Sequence, residues 1–312
     1  MTMPTSQHAF ARTLASPATW IFTAASALSF GFALPASAGA WVQEEGSTLT
    51  ILKLSHTDDT DVFDDGGKRT DFNDGGRSRQ DQINLYVEHG LTPDLTLVGN
   101  FYFKEVRYRS DDLPDDFDDT TRGFGDQEFG VRYRLNPGFG EEWVGAVQAL
   151  VSVPTYSRDA DVALGEGGYH FELRYSVGRG FMLGERSGYI DAGIAGRKRT
   201  GNPADEIRAD LTTGLALTRN LMLIGELNHI EGLGNESGNT APRPMEGVEP
   251  GSDTAENLVY INSTDYDLTK LSLSGLYTLP NDMQLQAGYM QPVDGRNTGA
   301  AGGPFVAAWW RF

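Results

Sequence analysis

The chain has 312 residues, with 43 Asp and Glu against 25 Lys and Arg for a formal net charge of −18, 38 glycines and no cysteine. That charge repels nucleic-acid phosphates, and the absence of thiols excludes disulfide staples, thiolate metal sites and cysteine chemistry. After residue 38 no run approaches the ~18 apolar residues of a helical membrane span, which leaves a soluble all-β protein or a transmembrane β-barrel.

The first 38 residues read as a secretory signal peptide. An apolar run from Trp20 to Leu34 is followed by Ala36-Ser37-Ala38, a small-x-small cleavage pattern. A retained transmembrane helix needs ~20 apolar residues, and this run stops before Pro35. The mature chain is therefore expected to span 39–312 as a single barrel domain. Its charge is about −19, because Arg12 leaves with the leader.

Period-two segments bounded by turn residues predict twelve strands, at 47–56, 80–90, 95–107, 123–135, 143–153, 168–179, 188–199, 205–218, 221–231, 265–279, 283–293 and 303–312. Short turns fall at Leu91–Asp94, Asn136–Glu142, Gly180–Ser187, Thr218–Asn220 and Pro280–Asp282, where Pro, Asn and Gly suit tight hairpins. Longer polar segments alternate with them, at 57–79, 108–122, 154–167, 200–204, 232–264 and 294–302. Such segregation of loop length is what a closed antiparallel barrel needs if turns face the periplasm and loops face outward.

The alternation also assigns faces. Phe129, Val131, Tyr133 and Leu135 oppose Glu128, Arg132 and Arg134, while Phe171, Leu173, Tyr175 and Val177 oppose Glu172, Arg174 and Ser176. Leu211, Thr213, Leu215 and Leu217 oppose Arg208 and Asp210, and Leu221, Leu223 and Leu227 oppose Glu226 and Asn228. A charge facing hydrocarbon at mid-depth costs ~2–4 kcal/mol, so the charged faces must line the lumen. Lys104, Glu128, Arg132, Arg134, Glu172, Arg174, Arg208, Asp210, Glu226 and Lys270 are the candidate lumen and selectivity residues, with Glu88, Asp191 and Arg197 on the same parity. The first strand fits least well, since Leu49 and Ile51 share a face with Lys53.

The last strand alternates Pro304, Val306, Ala308, Trp310 and Phe312 on one face. A terminal aromatic closing such a strand is the signature of an outer-membrane barrel, read by the barrel-assembly machinery. Trp41, Trp143, Trp309 and Trp310 all fall at the expected periplasmic rim, where an interfacial aromatic belt would place them with Phe312 against the lipids.

Motifs for chemistry are sparse. The outward loops carry Asp58, Asp59, Asp61, Asp64, Asp65, Asp71 and Asp74, then Asp111, Asp112, Asp115, Asp116, Asp118 and Asp119, either a cation-attracting vestibule or a solvated surface. Asp71, Asn73 and Gly76 begin an EF-hand pattern, but Gly75 and Gln82 stand where ligands are required, so no metal site is expected. His56, His89, His170 and His229 sit near strand ends outside any Ser or Asp motif, and no catalytic residue or cofactor is assigned.

Gly123-Phe124-Gly125-Asp126 and the strand after it, to Leu135, resemble the glycine-glycine-aspartate strand of the MetA-pathway phenol-degradation family of transporter-like outer-membrane proteins. The resemblance implies a barrel that passes aromatic or other small organic solutes. Gly-x-Gly-Asp could equally serve as a bulge at the outer rim. Fatty-acid-type transporters carry an N-terminal plug, for which the roughly eight residues between Gly39 and the first strand are too few. Twelve strands lie between ~8, which side chains fill, and ~16, which leave an open channel. The expectation is thus a narrow outer-membrane channel of a Gram-negative bacterium for passive uptake of small solutes, in which reversing Arg132 or Arg174 would change ion preference. The alternatives are a barrel hydrolase and a structural or adhesive barrel acting through the 232–264 loop.

Overall fold

A computed structural model describes residues 39–72, 75–110, 118–156, 162–165, 167–237 and 264–312. The leader 1–38, Asn73 and Asp74, the stretch holding Asp111, Asp112, Asp115 and Asp116, and 238–263 of the longest loop lie outside these described residues.

Among the described residues the strands are β1 (Thr48–Asp59), β2 (Asp61–Phe63), β3 (Arg69–Asp71), β4 (Arg77–Thr92), β5 (Leu95–Arg109), β6 (Asp118–Phe124), β7 (Asp126–Leu135), β8 (Trp143–Pro154), β9 (His170–Leu183), β10 (Arg186–Arg199), β11 (Glu206–Ala216), β12 (Leu221–Gly232), β13 (Asp267–Thr278), β14 (Gln284–Arg296), β15 (Thr298–Gly299) and β16 (Gly303–Arg311). Neighbours pair antiparallel in chain order, and β1 closes the ring on β16, with Ile51 opposite Trp309. With β6 and β7 sharing one stave, this is a closed barrel of twelve staves, as the alternation required. The remaining β2, β3 and β15 form a small separate sheet at the loop end, over which Val62, Phe63 and Ala300 are buried.

Two differences from the expected strands have local causes. The stave expected at 123–135 is broken at Gly125, where the Gln127 side chain takes over the ladder: its Oε1 accepts from Tyr102 N at 2.9 Å, and its Nε2 donates to the carbonyls of Tyr102 at 3.0 Å and Gly125 at 2.8 Å. A glycine-rich bulge thus lets β6 restart above it and continue along β5. The turn expected across Gly180–Ser187 shrinks to Gly184 and Glu185, with Gly184 at φ 63°, so β9 and β10 each run longer than expected.

The faces are as alternation predicted. Leu173 is 63 % exposed on the outer wall, while the side chain of the next residue, Arg174, is 17 % exposed and points inward. Phe129, Val131, Leu211, Leu223, Leu227, Leu273 and Val306 are likewise exposed on the outside. An apolar band of this size has no stable partner but hydrocarbon.

The inside is not uniformly polar. Leu49, Ile51, Val98, Tyr189, Met222, Ile224, Leu276 and Trp309 are buried, all near the turn-side ends of their strands. Lys53 follows Leu49 and Ile51 on this inner face, so β1 starts in an apolar plug and ends in a charged chamber.

Candidate functional site

The turn-side mouth of the lumen is crossed by a strap, residues 39–43, that runs inward before β1 begins. Gly39 N donates to Asp191 Oδ1 at 3.2 Å, Ala40 N to Asp191 Oδ2 at 2.9 Å, and Gln43 N to Thr96 Oγ1 at 2.8 Å. Trp41 therefore lies inside the barrel, not in the outer belt where its position in the chain placed it. Its ring meets Tyr189 edge-on at 6.1 Å, and a Cβ on Gly178 would overlap it. Burying the indole against these inner groups fills a mouth that strand side chains leave open. Trp309 is also inside and donates from Nε1 to Gln286 Oε1 at 3.2 Å. Trp143 and Trp310 do sit on the outer face at the turn-side rim, and Phe312 is 73 % exposed. Although too short for a plug domain, the segment before β1 still enters the lumen.

Arg132 ties the strap to the wall. Its guanidinium, 3 % exposed, donates to Glu88 Oε1 at 2.7 Å, Gln148 Oε1 at 3.0 Å, Tyr86 Oη at 3.1 Å and the carbonyl of Trp41 at 2.9 Å. Arg134, two residues on and of the same parity, has left the lumen: it bonds the Pro93 carbonyl at 3.0 Å and pairs with exposed Asp94 at the turn. The strand ends there, so the long side chain reaches water at the rim.

Above the strap, β7, β9, β10 and β11 bring opposite charges together as a ladder. Arg197 pairs with Glu172 and Glu128, each at 2.8 Å. Arg174 pairs with Glu172 at 3.1 Å and with Asp210. Farther toward the loops, Glu206 is shared by Arg199 at 2.7 Å and Arg208 at 2.6 Å. Arg199 and Glu206 were legible only by extending the parity of Arg197 and Arg208 one step.

The other wall is different. Lys53 on β1 lies over the Phe305 ring, 4.1 Å from its centroid, and neither Lys53 nor Lys270 is ion-paired among the described residues. Glu226 acts on both electrostatically. Lys104 donates to the carbonyl of Leu164 at 3.2 Å, which holds Leu164 against β5. Between the two walls is a cavity of about 400 Å³ whose lining includes Gly39, Lys53, Tyr86, Tyr102, Arg208 and Trp309. A second space of about 200 Å³ lies nearer the loops, beside Lys104, Asp126 and His170. The larger concavity of about 520 Å³ bordered by Leu52, Leu54, Tyr277, Leu285 and Val306 is on the outer wall and faces lipid.

The remaining candidates carry little chemistry. His56 bonds Asp81 at 2.8 Å on the outer face, His89 bonds Thr48 at 2.9 Å and His229 bonds Thr269 at 2.9 Å. Part of the acidic loop charge is occupied locally: Arg77 and Arg79 hold Asp58, Arg69 holds Asp61, and Arg107 holds Asp118. Among the described residues no group of three or more His, Asp or Glu could hold a metal ion.

An apolar jacket around a charged, partly filled lumen defines the class: an all-β closed barrel of the outer-membrane type. Among solved structures the chain is similar to the COG4313 outer membrane channel from Pseudomonas putida F1, with TM-score 0.60 and 17 % identity over 90 % of this chain and 100 % of that one. It is more distantly similar to the translocator domain of the autotransporter NalP from Neisseria meningitidis, at TM-score 0.44 and 10 % identity over 88 % and 92 % of the two chains. The NanC porin gives TM-score 0.43 and 8 % identity over 83 % and 98 %. No family model and no curated protein matches the sequence.

Proposed function

We propose that the protein is an outer-membrane channel that passes small solutes passively through a narrow, charged lumen, with a preference for organic anions. The cavity of about 400 Å³ carries this reading, because its lining includes Lys53, a cation outside the arginine-carboxylate ladder. A barrel filled only for stability would pair or omit that charge, since an ammonium without an ion-pair partner in a narrow interior is costly. The volume is near the lower end of small-molecule pockets, ~300–1,000 Å³. Tyr86, Tyr102 and Trp309 add aromatic faces to the lining. An aromatic carboxylate fits that chemistry and agrees with the class of solute implied by the Gly123–Leu135 resemblance. Lipids contact the outer band, and exposed Phe312 at the end of β16 is the point offered to the barrel-assembly machinery.

The test is single-channel recording of the purified protein in planar bilayers under a KCl gradient. Small steps with a reversal potential on the anion side are expected, reduced in Lys53→Gln and Lys270→Gln and blocked by added benzoate. If neither the mature chain nor a form lacking residues 39–43 conducts, the channel reading is overturned.

A further inference from the structure

Asp191 on β10 is 0 % exposed, and the groups that hold it are backbone nitrogens: Gly39 N at 3.2 Å on Oδ1 and Ala40 N at 2.9 Å on Oδ2. Five other lumen carboxylates, Glu88, Glu128, Glu172, Glu206 and Asp210, each have an arginine at ion-pair distance. Asp191 has none among the described residues. Arg132 and Arg174 act on it only from farther off, being engaged by Glu88 and by Glu172 and Asp210, and its neighbour Tyr189 brings no positive charge. A buried carboxylate without a counter-charge is strongly disfavoured. One of the two nitrogens facing it belongs to Gly39, the residue that the Ala36-Ser37-Ala38 pattern makes the first of the mature chain.

We infer that leader removal supplies the missing cation: the α-ammonium of Gly39 forms a buried ion pair with Asp191 that seats the strap in the lumen. In the precursor this nitrogen is a neutral amide. Hydrolysis of the Ala38–Gly39 bond adds the hydroxyl of water to the Ala38 carbonyl carbon, and the nitrogen departs with Gly39. The nitrogen gains the other hydrogen of water and the proton of the new acid, leaving a carboxylate on Ala38 and an ammonium on Gly39. The strap packs closely here, since a Cβ at position 39 would lie 2.6 Å from Ser176 Oγ and 3.3 Å from its Cβ. Cleavage one bond later would remove the nitrogen that meets Oδ1. The inference rests on the leader reading and is independent of whether the lumen conducts.

Sequencing the amino terminus of protein isolated from membranes should give Gly39 first. That protein, folded in detergent micelles or unfolded in urea, is then acylated at neutral pH with N-hydroxysuccinimidyl acetate, and the amino-terminal peptide is read by mass spectrometry. Gly39 lines the chamber, so small reagents can approach it. The amine of the folded protein should react at least about tenfold more slowly than that of the unfolded chain, as for an amine pKa raised by one unit or more. Asp191→Asn should abolish the protection, and Thr96→Val, which frees only Gln43 N, should keep it. A different first residue, equal labelling of folded and unfolded wild type, or full protection in Asp191→Asn would each overturn the inference. If Asp191→Asn does not assemble, the wild-type comparison and Thr96→Val still decide it.

Discussion

Arg132 and Lys53 bring the same charge into the same lumen, yet their surroundings give them different work. Arg132 is held by four acceptors on two staves and the strap, whereas Lys53 lies on the face of Phe305 with the charge of Glu226 farther off and no ion pair among the described residues. Neutralising Arg132 is therefore expected to act on stability before selectivity: Arg132→Gln leaves Glu88 buried without its partner, at a cost of about 3–5 kcal/mol, measurable as a lower urea midpoint in micelles. Lys53→Gln should leave that midpoint nearly unchanged and shift the reversal potential toward cations. Sequence parity identified Arg132 as a lumen residue, but it could not separate a structural charge from a solute-facing one. That distinction depends on which side chains meet across staves far apart in the chain.

A residue outside the membrane makes a pH prediction. In the connection between β10 and β11, burial by itself would raise the carboxyl of Asp205, but Lys198 at 2.7 Å, Arg199 N and Asn235 outweigh it and hold the group down at about 2. An unfolded Asp titrates near about 4, so the stabilisation is complete above that pH and is lost as the pH falls toward 2. Relative to the intrinsic exchange rate, which itself slows in acid, protection of the amides in residues 200–205 should fall over this window in the wild type. In Asp205→Asn it should be low throughout, with no step.

At the scale of elements, the break at Gly125 and the outer face of β9 are the informative cases. Gln127 supplies three side-chain hydrogen bonds where the ladder breaks, and Gln127→Leu leaves the Tyr102 N–H without its acceptor, while the carbonyls of Tyr102 and Gly125 keep the bonds from Gly125 N and Thr155 Oγ1. A loss of about 1–3 kcal/mol is expected, with faster exchange confined to β6 and the upper half of β5. Leu173→Arg puts a charge on the lipid face beside Arg174 on the lumen face. It should cost about 2–4 kcal/mol in refolding into bilayers, and a neutral effect would contradict the orientation of β9. The Gly-x-Gly-Asp stretch was readable as a bulge, because glycine in a strand marks a kink or a close approach. The substitution of a side-chain amide for the ladder was not, since its partner lies on another stave.

For the whole molecule, the strap decides how open the barrel is. Deleting residues 39–43 should raise single-channel conductance, remove the Trp41 contribution to fluorescence and lower thermal stability, because Asp191 and Arg132 each lose partners. Unchanged conductance would mean that the strap does not limit passage.

Period-two alternation, turn residues and the unequal connections determined the strand count, the face toward lipid and the charged character of the lumen. They suffice because a spanning strand must alternate once it separates hydrocarbon from a polar interior. What only tertiary structure decided is how that interior is divided: an apolar turn-side mouth crossed by residues 39–43, an arginine-carboxylate ladder on one wall and lysines on the other. Inward-facing residues on every stave share one parity, and which of them touch depends on closure of the ring, stagger between staves and the path of a strap that has no periodicity to read.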